Sequence, residues 1–260
     1  MRNALLCLAA ASCLAAQTPR SLTDGQDHGD APYLLEEGWT SLLNGKSLSG
    51  WQSYGKLKNE WLSCKAIAFD GLAGTGRLEC VGGAGDRILN GPQNKTANIF
   101  TEKKFGDAEL YIEFMLAKGS NSGVYLQGLY EVQVFDSFGT TGPLAYSDGG
   151  GIYHRWINNQ GVGGSAPRVN ASRAPGQWQS YHIWFRAPRF DASGRKTENA
   201  RFLRVVYNGA VVQENVDVEG PTRAAMDIPE APENPLMLQG DHGPVAYRNA
   251  YIRPLRPIER

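Results

Sequence analysis

The stretch "SNSGVYLQGLYEVQVFDSFG", residues 120–139, is the clearest indication of the fold because apolar and polar side chains alternate on both sides of a short turn. Successive side chains of a β-strand point to opposite faces of its sheet. Val124 and Leu126 therefore point one way, and after the turn Val132 and Val134 continue the apolar face. The segment predicts a β-hairpin with one face in a hydrophobic core and the other face polar.

The polar face of this hairpin is typical of a surface that binds a sugar. A three-residue loop, 128–130, places Gln127 opposite Glu131. On that register one face carries Tyr125, Gln127, Glu131 and Gln133, and Asp136 closes the run. Hydrogen-bonding side chains beside an aromatic ring suit a ligand with many hydroxyl groups. We therefore expect a small carbohydrate as the partner.

The composition favours an all-β protein and gives no reason to expect a nucleic acid. The chain has 260 residues, of which 42% are hydrophobic, so it can bury a substantial core. Its 31 glycines and 14 prolines suit many short strands joined by turns. Lys plus Arg total 26 and Asp plus Glu also total 26, so net charge points to neither nucleic acid nor an anionic membrane surface.

Strand patterns continue along the chain and define the fold class. Apolar and polar residues alternate over 108–116 and 181–187, and Asn208–Gly209 between two apolar runs signals another hairpin. Two long Gly-, Pro- and Ser-rich stretches, 139–176 and 219–235, are predicted loops that are more often functional than idle. No stretch of twelve or more residues shows a helical period. The sequence predicts an antiparallel β-sandwich or jelly roll.

The first residues predict export from the cytoplasm. Residues 1–16 read as a signal peptide, in which Arg2 precedes an apolar run too short to span a membrane. Cys13 lacks the Leu three residues earlier that lipoprotein processing uses, which favours plain cleavage over lipidation. Residues 17–36 read as a flexible leader, and 37–260 as the β domain. We expect a secreted or periplasmic protein, with no further membrane-spanning stretch.

Two cysteines remain in the mature chain. Cys64 and Cys80 both lie in strand-like sequence. In an oxidising compartment they could form a disulfide worth about 3 kcal/mol by the chain-entropy estimate. Two buried thiols on neighbouring strands are an equally good interpretation of the sequence.

The ionisable residues leave several chemistries open. There is no GxSxG, GxGxxG, P-loop, HExxH or CxxC motif. The spacing Glu131-x-Gln133-x-x-Asp136 resembles the Glu-x-Asp-x-x-Glu of laminarinase-type glucanases, but Gln replaces the middle acid and Asp the last. This departure makes an ordinary glucanase a weak interpretation. A non-catalytic lectin-like module remains an alternative, since Glu131 could simply bind sugar.

Histidines supply further candidates. His182 shares a strand face with Trp184, opposite the apolar set of the same strand. Asp241 and His242 occupy a glycine-bounded turn between strands, and His154 follows three glycines in the first long loop. Together with the acids these histidines could hold a divalent metal ion, although their scattered spacing does not indicate one.

Four motifs in order resemble those of the 3-keto-disaccharide hydrolase domain family. They are "EEGWTSLLNGKSLSGWQ" (36–52), "GSNSGVYLQGLYEVQVFDSFG" (119–139), "NASRAPGQWQSYHIWFRAPRFDASGRKTENARF" (170–202) and "LQGDHGPVAYRNAYIRPL" (238–255). The resemblance covers about residues 37–256. It implies a secreted bacterial protein with a concanavalin-like fold of the lectin/glucanase type. It also implies an activity on glycosides whose sugar carries a ketone at C3. Gly240 departs from the commoner "LQDHG" form.

The implied chemistry is elimination followed by hydration. A C3 ketone acidifies the C2 hydrogen, so a base can form an enolate that expels the C1 substituent, and water then adds. We expect His242 or His154 as the base, Arg248 as a carbonyl clamp and Glu131 as a further catalytic group. The substrate contacts are expected from Tyr125, Gln127, Gln133, Asp136, His182, Trp184 and Asp241. We also expect His182, His242 and Glu131 to meet in one cleft.

Overall fold

The computed structural model describes residues 36–72, 76–91 and 95–256, and these contain nineteen β-strands and no helix. The signal peptide predicted at 1–16 and the leader up to residue 35 lie outside the described residues. Across the described ranges, no helix has the length and apolar character needed to cross a membrane.

The strands, in chain order, are β1 Thr40–Ser41, β2 Trp51–Tyr54, β3 Leu62–Cys64, β4 Ala66–Asp70, β5 Arg77–Val81, β6 Arg87–Leu89, β7 Asn98–Phe105, β8 Ala108–Leu116, β9 Asn121–Leu126, β10 Tyr130–Phe135, β11 Arg155–Ile157, β12 Gln160–Val162, β13 Trp178–Arg186, β14 Arg189–Phe190, β15 Lys196–Glu198, β16 Ala200–Tyr207, β17 Ala210–Val218, β18 Asn234–Leu238 and β19 Val245–Pro254.

Two antiparallel sheets form the sandwich. The larger has eight strands in the order β17-β16-β13-β8-β19-β6-β3, with β1 paired to β19. The smaller has five strands in the order β10-β9-β18-β7-β2. Three two-stranded ribbons, β4-β5, β11-β12 and β14-β15, complete the described residues. The predicted antiparallel β-sandwich is confirmed.

The core lies between the two sheets and follows the alternation in the sequence. The larger sheet contributes Leu110, Ile112, Phe114, Tyr181, Ile183 and Phe185, and the smaller contributes Val124, Leu126, Val132, Val134, Leu236 and Leu238. Each is buried, because period-2 alternation sends every second side chain inward. The intervening polar residues of both sheets must therefore point outward, on opposite sides of the molecule.

The β9–β10 hairpin has a different register from the predicted one. Glu131 lies opposite Tyr125, not opposite Gln127. Residues 127–129 form the turn, since Leu126 pairs with Tyr130, and Gln127 and Gly128 within it have positive φ angles of 56° and 67°. The register differs by two residues, and a shift of two leaves every side chain on its original face. Tyr125, Glu131 and Gln133 therefore still share the outer face, whereas Gln127 leaves it.

A disulfide joins Cys64 on β3 to Cys80 on β5, with 5.3 Å between their Cα atoms. It ties the edge of the larger sheet to the β4-β5 ribbon. Of the two interpretations that the sequence left open, the structure has the disulfide.

Candidate functional site

A cleft of about 320 Å³ lies on the outer face of the smaller sheet. We call it the Glu131 cleft. Its floor is formed by side chains of the β9–β10 hairpin: Asn121, Tyr125, Glu131 and Gln133. Its rim is formed by loop residues: Tyr153, Arg223, Ala224, Gln239 and His242. The floor arises because these strand positions alternate with the core valines, and the rim arises from loops at the strand ends.

Hydrogen bonds hold the second long loop against the hairpin. The Thr222 hydroxyl donates to the Leu129 carbonyl at 3.1 Å and accepts from the Glu131 backbone N–H at 3.2 Å. The Arg223 N–H donates to the His154 carbonyl at 2.8 Å, which links the two long loops. Ala224 has a φ of 63°, a left-handed conformation that residues with a β-carbon rarely adopt. The Met226 N–H, after Ala224, donates to the Gly128 carbonyl at 2.9 Å, so hydrogen bonds hold the backbone on both sides of this strained residue.

Glu131 is the central group of the cleft floor. Its side chain is buried although it faces outward, and only 3% of the residue is exposed. Gly123, on the adjacent strand, makes the room: a β-carbon there would lie 2.3 Å from Glu131 Oε1. The pKa of Glu131 is raised to about 8, chiefly by burial and also by the charge of Asp241, while a hydrogen bond with Tyr125 acts to lower it. At neutral pH Glu131 is therefore mainly a neutral carboxylic acid.

His242 forms an ion-pair-like contact with its neighbour on the rim. Its Nδ1 lies 2.8 Å from Asp241 Oδ1. This hydrogen bond raises the pKa of His242, and it lowers the pKa of Asp241. The contact occupies Nδ1, so Nε2 is the ring nitrogen that is left to exchange a proton with a ligand. The arrangement is that of a histidine oriented by a carboxylate, a common form of general base.

Buried groups fix the backbone of the turn that carries His242. The Asn90 side chain donates to the carbonyls of Gly240, His242 and Gly243 at 3.2, 3.1 and 2.6 Å. A β-carbon at Gly240 would lie 2.4 Å from the Ala97 carbonyl oxygen. Gly240, the residue that departs from the commoner motif, is thus required by close packing.

His154 lies behind the cleft wall and not in the cleft. Its ring stacks on Tyr153 with centroids 4.5 Å apart, and Tyr146 meets it edge-on at the same distance. Both ring nitrogens are buried, and neither has a hydrogen-bond partner within the described chain. Burial lowers the pKa of His154, and Arg223 lowers it further. The prediction that His154 is the base is not supported by this position, since Tyr153 stands between it and the cleft.

The prediction that His182 joins Glu131 and His242 in one cleft is wrong. His182 Nε2 lies 2.6 Å from Glu109 Oε1, and its ring stacks on Trp184 at 3.8 Å. His182 and Trp184 lie on the outer face of the larger sheet, because the alternate residues of the same strand, Tyr181, Ile183 and Phe185, fill the core. Both sheets obey the same alternation, and their polar faces point away from each other across the sandwich.

Arg248 is also on the far side, so the prediction that it clamps a substrate carbonyl is wrong. Its Nε donates to Glu113 Oε2 at 2.6 Å, and its guanidinium lies 4.1 Å from the centroid of the Trp178 ring. The residue is only 2% exposed. The only arginine side chain that lines the Glu131 cleft, within the described ranges, is that of Arg223, which stacks over Trp156 at 4.1 Å.

Two predicted substrate contacts on the hairpin have structural roles. Gln127 Nε2 donates to the carbonyls of Phe105 and Pro232 at 3.2 and 3.0 Å, which anchors the turn. Asp136 Oδ2 accepts from the Gly119 N–H at 2.8 Å and closes the open end of the hairpin. Neither side chain lines the cleft. Asp241 affects the cleft through its charge and its contact with His242.

Five cleft residues were not among the sequence candidates: Asn121, Tyr153, Arg223, Ala224 and Gln239. Asn121 lies two positions before Gly123 on the same strand face, so the alternation already contained the signal. Gln239 precedes the singled-out turn, and Tyr153 and Arg223 belong to the two long loops. Nothing in the sequence alone shows which loop residues face the hairpin.

The metal site considered from the sequence has no matching ligand cluster. Within residues 36–72, 76–91 and 95–256, no group of three or more His, Cys, Asp or Glu side chains is placed to hold an ion. No such cluster forms because the three described histidines lie apart: His242 in the cleft, His154 behind its wall and His182 on the opposite sheet.

Solved structures with the same fold include three proteins from Parabacteroides distasonis ATCC 8503, each described as a "putative glycosyl hydrolase". The first is 26% identical, with a TM-score of 0.59 and a coverage of 84% of each chain. The second is 19% identical, with a TM-score of 0.51 and a coverage of 85% of this chain and 96% of the other. The third is 19% identical, with a TM-score of 0.52 and a coverage of 84% and 99%. No curated protein gives a match.

The family predicted from the four motifs is confirmed by a family model. The model, described as the 3-keto-alpha-glucoside-1,2-lyase-like domain, matches residues 38–253. That range includes both sheets, except Pro254 at the end of β19, and every residue of the Glu131 cleft. The chain therefore belongs to the 3-keto-alpha-glucoside-1,2-lyase-like domain family, whose members are carbohydrate-acting proteins of the glycosyl hydrolase-like kind.

Proposed function

We propose that this protein cleaves glycosides whose sugar carries a ketone at C3, by elimination and hydration in the Glu131 cleft. The observation that carries the proposal is a single buried carboxyl group, Glu131, in a cleft that also presents a carboxylate-oriented histidine, His242. The family match supports the substrate class.

The number of carboxyl groups favours elimination over ordinary glycoside hydrolysis. Retaining and inverting hydrolases generally need two carboxyl groups that flank the scissile bond. Within the described residues, Glu131 is the only carboxyl group that lines the cleft, and Asp241 is engaged by His242. Elimination next to a ketone needs a base, an acid and a stabiliser of the enolate, but no carboxylate pair.

The proposed reaction begins with His242 as the unprotonated base and Glu131 as the protonated acid. His242 Nε2 removes the C2 proton, and the electron pair passes through the C3 carbonyl as an enolate. The carbonyl then reforms, a C1–C2 double bond appears, and the C1–O bond breaks. Glu131 donates its proton to the departing glycosidic oxygen. A carboxyl group with its pKa near 8 retains that proton at pH 7, as an acid catalyst requires.

Hydration then returns both groups to their starting states. Glu131, now a carboxylate, takes a proton from water as the water oxygen bonds to C1. The protonated His242 exchanges its Nε2 proton with solvent and then delivers a solvent-derived proton to C2. The products are the free 3-keto sugar and the alcohol, so the net reaction is hydrolysis. We assign to Arg223, which lines the rim of the cleft, the stabilisation of the enolate oxygen in both halves of the reaction, the role first expected of Arg248.

The test compares a 3-keto-glucoside with its unoxidised parent, with and without a chelator, in D2O. Turnover of the keto substrate alone, with deuterium at C2 of the product at the earliest times, is the expected result. His242→Ala and Glu131→Gln should each lower kcat about 10²- to 10⁴-fold. His182→Gln is the matched control because it changes a histidine of the opposite sheet face.

Three outcomes would contradict the proposal. Equal cleavage of the unoxidised glucoside would indicate an ordinary glucanase. Sugar binding without any turnover would indicate a lectin-like module. Full activity of His242→Ala would remove the base from the mechanism. A fourth outcome would change one role only. Loss of turnover on chelation would show that a metal ion takes part, and the metal ion would then take the place of Arg223 as the enolate stabiliser.

We also propose that the protein works outside the cytoplasm. The Cys64–Cys80 disulfide supports this location, since such bonds persist in oxidising compartments. The mass of the protein isolated from a periplasmic or culture fraction tests it, and an unprocessed N-terminus in the cytoplasm would contradict it.

A further inference from the structure

Three amide side chains of the Glu131 cleft have buried oxygens without a partner. The oxygens of Asn121, Gln133 and Gln239 accept no hydrogen bond from any described residue. Gln133 and Gln239 are 2% and 6% exposed. We call these three residues the amide row. A buried acceptor without a donor is costly, and native proteins contain few of them.

Buried amides elsewhere in the sandwich are engaged. Asn90 Oδ1 accepts from the Val245 N–H at 2.9 Å, and Gln213 Oε1 accepts from the Ser165 hydroxyl at 2.8 Å. One further buried amide oxygen lacks a partner in the described residues, that of Gln127, whose nitrogen anchors the hairpin turn. Unsatisfied amide oxygens are therefore concentrated in the cleft, which points to a ligand that satisfies them.

The strand pairing brings the amide row together around Gly123. Gln133 lies opposite Gly123 on one side, and the Gln239 N–H donates to the Gly123 carbonyl at 3.0 Å on the other. Asn121 lies two residues before Gly123, on the same face of β9. The three amides thus border one patch of floor that has no side chain of its own and lies beside the Glu131 carboxyl group.

We propose that the amide row determines specificity by binding hydroxyl groups of the sugar ring whose C1 bond is cleaved. The proposal rests on the proposed function for the identity of the ligand as a sugar. A ketone only accepts hydrogen bonds, so the amide oxygens bind the remaining hydroxyls and not the C3 carbonyl. A hydroxyl both donates and accepts, and it therefore satisfies an amide in either orientation, whereas a cation satisfies the oxygen alone.

The consequence is rejection of sugars that lack a hydroxyl group. A site built to hydrogen-bond a hydroxyl leaves its own buried groups unpaired when an analogue without it binds. Removing one contacted hydroxyl is expected to weaken binding roughly tenfold to a hundredfold. O-methylation at the same position removes the donor and adds bulk, so it should weaken binding at least as much.

The experiment measures equilibrium binding and needs no turnover. Methyl glucoside and its 2-deoxy, 4-deoxy and 6-deoxy derivatives are titrated into the protein by calorimetry; without a C3 ketone they have no acidic C2 hydrogen and are not consumed. Wild type should bind the parent and discriminate against at least one deoxy derivative. Gln133→Met and Gln239→Met should weaken binding of the parent and lose that discrimination. Gln127→Met is the control, since it removes a buried amide of the same hairpin outside the cleft.

The outcomes are distinct from those of the turnover test. Equal binding of parent and deoxy sugars by wild type, or no binding of the parent, overturns the role of the amide row. So does unchanged discrimination in both cleft variants, or the same loss in Gln127→Met. Binding of Ca²⁺ that depends on Gln133 and Gln239 would instead assign the amide oxygens to a cation. A failure of keto-substrate turnover with discrimination intact would refute the proposed reaction alone.

Discussion

Replacing Gly123 by Ala should inactivate the protein while leaving it folded. The added β-carbon would lie 2.3 Å from Glu131 Oε1, 2.9 Å from Glu131 Cδ and 2.6 Å from Tyr125 Cε2. Carbon and oxygen do not approach so closely, so the carboxyl group of Glu131 must move by about 1 Å to reach ordinary contact. The backbone at Gly123 has no positive φ that would strain alanine.

The cost to stability should be small and the cost to activity large. Overpacking typically costs about 1–3 kcal/mol; the Glu131 carboxyl group can swing toward the cleft, whereas the buried Tyr125 ring has less room to move. For a protein of this size, 1 kcal/mol lowers Tm by about 2–4 °C. A misplacement of about 1 Å at a catalytic group can cost on the order of 100-fold in rate. We therefore expect a small fall in Tm and a fall in kcat of about two orders of magnitude.

The assay compares kcat on a 3-keto-glucoside with Tm for wild type, Gly123→Ala and Gly142→Ala. Gly142 is a matched control because a β-carbon there meets nothing within 4 Å. Unchanged kcat in Gly123→Ala would contradict this prediction, since it would show that the position of the Glu131 carboxyl group does not matter. A collapse of Tm would show that Gly123 is needed for folding.

Three further predictions concern titration and the disulfide. Because the pKa of Glu131 is raised to about 8 from 4.5, the folded state keeps a proton that the unfolded chain releases, and stability falls as pH rises between these values. Urea unfolding at pH 5.5 and 7.5 should show a loss of up to about 1.4 kcal/mol per pH unit that Glu131→Gln lacks; parallel curves would contradict this. The plot of kcat/KM against pH should be bell-shaped, with a basic limb near pH 8. Asp241→Asn should move the acidic limb to lower pH because the raised pKa of His242 depends on the Asp241 carboxylate. An acidic limb that does not move would show that it does not arise from His242. Replacing both Cys64 and Cys80 by Ser opens a link with a sequence separation of 16 and should cost about 3 kcal/mol in chemical unfolding with kcat unchanged; a large loss of kcat would show that the disulfide shapes the cleft.

The fold class and the composition of the two hairpin faces follow from the local sequence. Val124, Leu126, Val132 and Val134 had to share one side because side-chain direction in a strand has a period of two. That rule needs no knowledge of the strand's partner. It correctly placed Glu131 on a polar outer face even though the predicted register was wrong by two residues.

Which polar side chains come together in one cleft depends on long-range strand pairing. His182 and Glu131 have the same local pattern, yet their strands belong to different sheets and their side chains point to opposite sides of the sandwich. Arg248 is separated from the cleft for the same reason. Alternation fixes a side chain relative to its own sheet, whereas the sheet to which a strand belongs depends on long-range pairing.

For the loops, the sequence predicts even less about which side chains reach the cleft. Their length marked them as functional candidates, but a loop has no periodicity from which the direction of a side chain follows. Tyr153 reaches the cleft and His154, the next residue, is buried behind it. Arg223 reaches the cleft because Thr222 is bonded to the hairpin. These contacts join residues far apart in the chain, so packing decided them and the local sequence could not.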